Sequence, residues 1–118
     1  MLEKLNQALR KSYSADLCYP PAMERWSEDN PTFGMCSITS LVVQDYLGGE
    51  ICKVAVGSGS HYFNVIDGKV VDLTAEQFGR EISYDDMIKV ERDEMLPARD
   101  TKRRYLELKH RVEGCLAK

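Results

Sequence analysis

Two patterns in the sequence predict an α+β fold built around an antiparallel sheet. Residues 36–47 (CSITSLVVQDYL) are apolar all round and are followed by Gly48-Gly49, which is typical of a buried central helix that ends at a glycine. Further along, two apolar segments flank Asp67-Gly68, a strong signal for a two-residue hairpin turn. A helix followed by hairpin strands and further helices indicates the α+β class.

The other elements follow from the same periodicities. Leu2, Leu5 and Leu9 recur at helical spacing and predict a helix over residues 2–13. The proline-containing stretch 14–35 is expected to be an irregular loop. Thr74 and Gln77 form a capping-box pattern, which predicts a short helix from that point. The remaining predicted elements are strands over 50–56, 61–66 and 69–73, a GSGS turn at 57–60, and helices over 84–92 and 101–117.

Composition limits the classes of function. A chain of 118 residues with a net charge of -3 is expected to form one domain, residues 1–118. It has no basic patch interleaved with aromatic residues, so no nucleic-acid partner is expected. It has no apolar run near the roughly 20 residues of a membrane helix, and its first residues lack the apolar centre of a signal peptide. We therefore expect a cytoplasmic protein.

The four cysteines are expected to differ in role. Cys18, Cys36, Cys52 and Cys115 contain no CxxC pair, and the chain has only two histidines, so neither a metal nor another cofactor is predicted. Disulfides are not expected in a cytoplasmic chain. At least three thiols are expected to pack as small hydrophobic groups.

Cys36 is the candidate nucleophile because it opens the predicted central helix. Free backbone N–H groups and the positive end of the helix dipole favour a thiolate there, and the same N–H groups can donate to an oxyanion. Gly34, two residues earlier, permits a tight turn and a close approach of substrate to the backbone. Taken alone, a cysteine that opens a buried helix is more often structural, so the interpretation depends on its neighbours.

His61 and Asp72 are the predicted partners of the thiol. A two-residue turn at Asp67-Gly68 pairs Phe63 with Asp72, which places His61 and Asp72 diagonally on one face of the hairpin. The carboxylate can then orient one imidazole nitrogen and leave the other for a thiol. The alternative is an ordinary cross-strand pair on the surface, but the neighbouring side chains are nearly all apolar.

Three further residues have weaker signals. Asn30 lies six residues before Cys36 and is a tentative oxyanion donor; capping the turn before Pro31 is the alternative. Trp26, in the same loop, is expected to pack on the core rather than contact substrate. His110, in the charged last helix, is expected to be exposed.

Three segments carry a family resemblance: GMCSITSLVVQDYLGGEI (34–51), SHYFNVIDGKVVDLTAEQF (60–78) and TKRRYLELKHRV (101–112). They resemble the small bacterial YunG family, which is functionally uncharacterised. The order of cysteine at a helix start, then histidine and aspartate on consecutive strands, resembles the papain-like cysteine peptidase and transglutaminase-like superfamily, in which a glutamine occupies the place of Asn30. The resemblance implies a minimal papain-like domain, with the Cys36 helix packed on the antiparallel sheet.

The resemblance also implies a function. Cys36 would be the nucleophile, His61 the general base and acid, and Asp72 the orienting carboxylate, in acyl transfer through a thioester. The expected substrate is a small-molecule, peptide or protein amide, ester or thioester; hydrolysis, deamidation and transamidation share this machinery. Two alternatives remain: a catalytically inactive binding module, and a redox switch based on Cys36.

Overall fold

The structure, a computed structural model, describes residues 1–117. Its α-helices and strands, in chain order, are α1 (Leu2–Ser12), α2 (Cys36–Leu47), β1 (Glu50–Val56), β2 (Gly59–Ile66), β3 (Lys69–Val71), β4 (Ile88–Val90), α3 (Arg92–Met95) and α4 (Thr101–Leu116). Three short 3₁₀ helices, Ala15–Leu17, Pro20–Arg25 and Ala75–Phe78, lie between them.

The four strands form one antiparallel sheet in the order β3-β2-β1-β4, which confirms the predicted α+β class. Buried side chains from α1, α2, α4 and the sheet share one core, which includes Leu5, Leu41, Ile51 and Leu108. A second, smaller cluster of Cys52, Val54 and Phe63 is made by alternate residues of β1 and β2, which point to the other face of the sheet. No helix among residues 1–117 combines the length and apolar character needed to cross a membrane.

The hairpin that carries the site has the predicted turn. Asp67 and Gly68 both have positive φ, 53° and 76°, as a two-residue turn of the favoured type requires, and Ile66 pairs with Lys69. Strand β3 ends at Val71, two residues before the predicted boundary. The chain turns there because the carboxylate of Asp72 accepts a hydrogen bond from the backbone N–H of Thr74 at 3.2 Å.

The predicted helix over residues 84–92 is wrong. Ile88–Val90 forms strand β4 on the free edge of β1, where the β-branched side chains of Ile88 and Val90 suit an extended backbone. The following helix α3 begins only after Glu91, whose side chain forms a capping box with Glu94. Residues 88–90 are therefore extended because they pair with the distant strand β1, although their local sequence was compatible with a helix.

The predicted capping box at Thr74 and Gln77 is also absent. A 3₁₀ helix, Ala75–Phe78, follows Thr74 without a side-chain cap. Instead, the Gln77 amide donates to the Thr74 carbonyl at 3.0 Å and its oxygen accepts from the N–H of Gly34 at 3.1 Å. Gln77 thus ties this segment to the loop that precedes Cys36.

Candidate active site

Cys36 opens helix α2 and faces a cavity. Met35, the N-cap residue, is buried and provides no side-chain cap, so the first-turn N–H groups are available to other acceptors. The cysteine is half-buried and lines a cavity of about 560 Å³. The thiol and the N-terminus of α2 therefore lie together at this cavity.

Gly34 shapes the approach to Cys36. Its φ is +72°, and a Cβ at this position would lie 2.4 Å from Sγ of Cys18. Its carbonyl accepts hydrogen bonds from the N–H of Tyr19 at 3.0 Å and from the Arg104 guanidinium at 3.1 Å. Both the backbone conformation and the lack of space therefore require glycine here.

His61 and Asp72 form a buried pair. Nε2 of His61 lies 2.7 Å from Oδ2 of Asp72, and their side chains are 0% and 5% exposed. The imidazole stacks on Phe63 and meets the edge of Phe78, with ring centroids 6.1 and 4.9 Å away. Because Phe78 also lines the cavity, the imidazole lies behind an aromatic part of the cavity wall.

Asp72 has further hydrogen-bond donors. The Tyr84 hydroxyl donates to Oδ2 at 2.6 Å, and the Thr74 N–H and hydroxyl approach Oδ1 at 3.2 and 3.5 Å. Burial, together with the hydrogen bond to Asp72, raises the pKa of Tyr84 well above its ordinary value. Tyr84 therefore stays a neutral donor, and the carboxylate is held in one orientation toward His61.

The charge of His61 depends on both of its polar neighbours. Burial disfavours the imidazolium, but the hydrogen bond with Asp72 and the nearby Cys36 sulfur outweigh it and raise the pKa of His61 to about 9. Nδ1 is buried and has no completed hydrogen bond within residues 1–117. With Nε2 bound to Asp72, Nδ1 is the ring nitrogen left for the thiol.

The other thiols have different surroundings. Cys18 and Cys52 are buried, and burial raises the pKa of both, as expected for cysteines that pack as small hydrophobic groups. Cys115 is half-buried in the last turn of α4, 3.9 Å from the Ser12 hydroxyl. Of the four cysteines, all of which lie in the described part of the chain, only Cys36 lines the large cavity.

The loop residues take structural positions. Asn30 uses its side-chain amide to donate to the Gln77 carbonyl at 3.2 Å, and it does not line the cavity. Trp26 packs against the core and donates to the Pro31 carbonyl at 3.0 Å, as the packing interpretation expects. His110 is exposed on α4, also as expected.

Three residues at or near the site were not assigned to it from the sequence. Tyr84 lies in a segment that was predicted to be helical, and Gln77 was taken for a helix-capping residue. Arg104 is fully buried in α4 and donates to the carbonyls of Leu17 and Gly34 at 2.8 and 3.1 Å; burial lowers its pKa. All three act through contacts with distant segments, and the local sequence gave no signal for these contacts.

Together, the fold and the site define a small α+β protein with a half-buried cysteine beside a buried histidine–aspartate pair. A family model described as "YunG protein" matches residues 1–117, and the chain belongs to this family. It is 37% identical over 83 residues to "Uncharacterized protein YunG" of Bacillus subtilis (strain 168), an alignment that covers 70% of this chain and 68% of the relative. No solved structure matches the chain significantly. The expected membership of the YunG family is confirmed, whereas the papain-like resemblance stays a prediction.

Proposed function

We propose that this protein is a thiol-dependent acyl-transfer enzyme with Cys36 as nucleophile, His61 as general base and acid, and Asp72 as orienting carboxylate. The single observation that carries the proposal is the 2.7 Å bond from His61 Nε2 to Asp72, which leaves Nδ1 buried and without a completed bond beside Cys36. A buried ring held in this way favours one tautomer and one direction of proton transfer. We also propose that the domain is a minimal relative of the papain-like superfamily.

In the first half-reaction the Cys36 thiolate attacks the substrate carbonyl carbon and forms an S–C bond. The carbonyl electrons move to oxygen, and the uncapped N–H groups of the first turn of α2 donate to the oxyanion. When the oxyanion collapses, the bond to the leaving group breaks, and the His61 imidazolium gives its proton to that group. The products are the thioester at Cys36 and neutral His61.

In the second half-reaction His61 takes a proton from water or an amine as it attacks the thioester. The S–C bond then breaks, releasing the acid or the new amide, and Cys36 leaves as a thiolate beside the His61 imidazolium. The starting charges are thereby restored, and no other reactant is consumed. Asp72 keeps its charge throughout and stabilises the imidazolium.

A second oxyanion donor from Asn30 is less well supported than the backbone donors. Its amide is engaged by the Gln77 carbonyl. We therefore assign oxyanion binding to the backbone of α2 and give Asn30 the role of fixing the loop before Cys36. Asn30→Ala is expected to reduce stability by about 1 kcal/mol and to slow acylation less than Cys36→Ser.

The test is to capture the thioester. The wild-type protein is mixed with small activated esters and thioesters, quenched in acid and analysed by intact and peptide mass spectrometry, while product release is followed in parallel. We expect an acyl group on Cys36 that is absent in Cys36→Ser and greatly reduced in His61→Gln. Cys115→Ser serves as the matched control, because it removes the other half-buried thiol. Acylation with equal rates at Cys36 and Cys115 and no turnover would contradict the proposal.

A further inference from the structure

The cavity beside Cys36 combines an apolar interior with two arginines. Apolar or aromatic side chains, including Phe33, Tyr62 and Met95, line most of it, and Arg25 and Arg99 also line it. Its volume of about 560 Å³ lies in the range typical of small-molecule sites. The cavity is thus large enough for more than the acyl group that would react with Cys36.

Each arginine is positioned by an aromatic ring. The guanidinium carbon of Arg25 lies 5.3 Å from the centre of the Phe33 ring, and that of Arg99 lies 5.9 Å from the centre of the Tyr19 ring. Stacking of this kind limits the directions in which a guanidinium can point and leaves its N–H groups free. Both cations are therefore partly preorganised for a ligand.

Neither guanidinium has a carboxylate partner or a hydrogen bond within residues 1–117, although other arginines of the chain, such as Arg10, Arg103 and Arg111, do. The acidic residue that also lines the cavity, Glu94, uses its carboxylate in the capping box of α3, where it accepts from the N–H of Glu91 at 3.3 Å. Arg25 and Arg99 are both exposed, so two unpaired cations border the cavity where a ligand can reach them.

Arg99 also has an unusual backbone. Its φ is +49°, and that of the next residue, Asp100, is +60°; this region is unfavourable for residues other than glycine. The Arg99 carbonyl accepts from the buried Arg104 guanidinium at 3.5 Å. The fold therefore holds Arg99 at the cavity in a conformation that the local sequence does not favour.

We propose that the cavity binds an acyl compound with an apolar body and an anionic end group, a carboxylate or a phosphate, which Arg25 and Arg99 hold while Cys36 attacks the acyl carbon. The apolar lining accounts for the body of the ligand, and the two free guanidiniums account for its charged end. This inference rests on the proposed function, because it takes Cys36 as the reacting group.

The test uses N-alkyl iodoacetamides as thiol probes. At each alkyl chain length the far end of the probe carries a carboxylate, a phosphonate or an uncharged methyl ester. The rate at which each probe modifies Cys36 is measured by mass spectrometry. The measured quantity is the ratio of the rate of the anionic probe to that of its neutral analogue. We expect this ratio to be highest at one chain length and to fall as salt is added.

Charge-neutralising variants identify the groups responsible. Arg25→Gln or Arg99→Gln should lower the ratio about threefold each, and the double variant about tenfold. Arg25→Lys and Arg99→Lys keep the positive charge and should therefore retain part of the preference for the anionic probe. Lys69→Gln is the matched control. Lys69, the first residue of β3, pairs with Ile66 at the end of β2 that is opposite to Gly59 and Ser60, which line the cavity. The rate ratio of this variant should equal that of wild type.

The outcomes separate the two proposals. An unchanged ratio in the double arginine variant would overturn the anion site, whatever the reactivity of Cys36. If the neutral probe modified Cys36 and Cys115 at equal rates, independent of His61, the proposed enzyme would be contradicted. The effect of the arginine variants on the ratio of anionic to neutral rates could still be measured in that case. Preference for the carboxylate or the phosphonate probe would assign the chemical source of the charge.

Discussion

Nε2 of His61 lies 2.7 Å from Oδ2 of Asp72, and both side chains are almost completely shielded from water. Burial alone would lower the pKa of the imidazole, yet it is raised to about 9, because the carboxylate and the Cys36 sulfur stabilise the charged ring. This pair sets the charge of the whole site.

Asp72→Asn should lower the pKa of His61. The substitution keeps the shape of the side chain but removes its charge, so burial is opposed by the Cys36 sulfur without the carboxylate, and the pKa should fall clearly below 9. Imidazole NMR signals measured against pH give the answer. The chain has two histidines, and the signals of the exposed His110 serve as the internal reference. A His61 midpoint that stays near 9 in Asp72→Asn would show that the carboxylate is not the main partner.

The stability of the protein should depend on pH through His61. Because its pKa is about 9 in the folded protein and about 6.5 when unfolded, the imidazolium stabilises the fold fully below about pH 6.5. This contribution is lost as pH rises toward 9 and amounts to roughly 1–3 kcal/mol. Urea unfolding between pH 6 and 9.5 should show the difference in free energy of unfolding between wild type and His61→Gln shrinking with pH. Parallel curves would contradict this linkage, and Cys36→Ser should show a smaller slope than wild type.

Tyr84→Phe should weaken the support of Asp72 without removing its charge. The hydroxyl donates to Oδ2 at 2.6 Å, and loss of a hydrogen bond to a charged acceptor costs about 1.5–3 kcal/mol. Because Asp72 keeps its charge, the pKa of His61 should not fall. Denaturant unfolding measures the first effect and NMR titration the second. Tyr46→Phe is the matched control, since the Tyr46 hydroxyl makes no hydrogen bond among residues 1–117, and it should change stability by less than about 0.5 kcal/mol. Equal losses in the two variants would rule out the support proposed for Asp72.

Gly34→Ala should be strongly destabilising. The positive φ costs about 1 kcal/mol for alanine, and the new Cβ, 2.4 Å from Sγ of Cys18, adds an overlap of about 1–3 kcal/mol. Gly79→Ala has a similar φ of +63° but no atom within 4 Å of its Cβ, so it should cost only the first amount. Cys18→Ala in the Gly34→Ala background should recover part of the overlap in a double-mutant cycle. Equal costs at Gly34 and Gly79 would contradict the steric account.

The parts of the site that were predictable from sequence are those set by local geometry. Asp67-Gly68 fixed the hairpin register, and with it the shared face of His61 and Asp72, because a two-residue turn determines which residues pair. The start of α2 at Cys36 was predictable because the helical segment and its flanking loop are adjacent in the chain.

What the sequence did not reveal depends on distant contacts. Strand β4 exists because Ile88–Val90 pairs with β1, and no local pattern distinguished this from a helix. Tyr84 reaches Asp72 only once the segment between Ala75–Phe78 and β4 covers the hairpin. Arg104, a charged residue in a polar helix, is buried only because carbonyls of Leu17 and Gly34 satisfy its guanidinium.

The most direct test of the account compares the alkylation of Cys36 and Cys115 by iodoacetamide, residue by residue, from pH 5 to 10. Both thiols are half-buried, but Cys36 opens a helix beside His61 and Cys115 lies in the last turn of α4. We predict that Cys36 reacts at least about tenfold faster at neutral pH, and that His61→Gln removes most of this advantage and leaves Cys115 unchanged. Equal rates for the two thiols, or a Cys36 rate that is insensitive to His61, would contradict the claim that Cys36, His61 and Asp72 act as one catalytic unit.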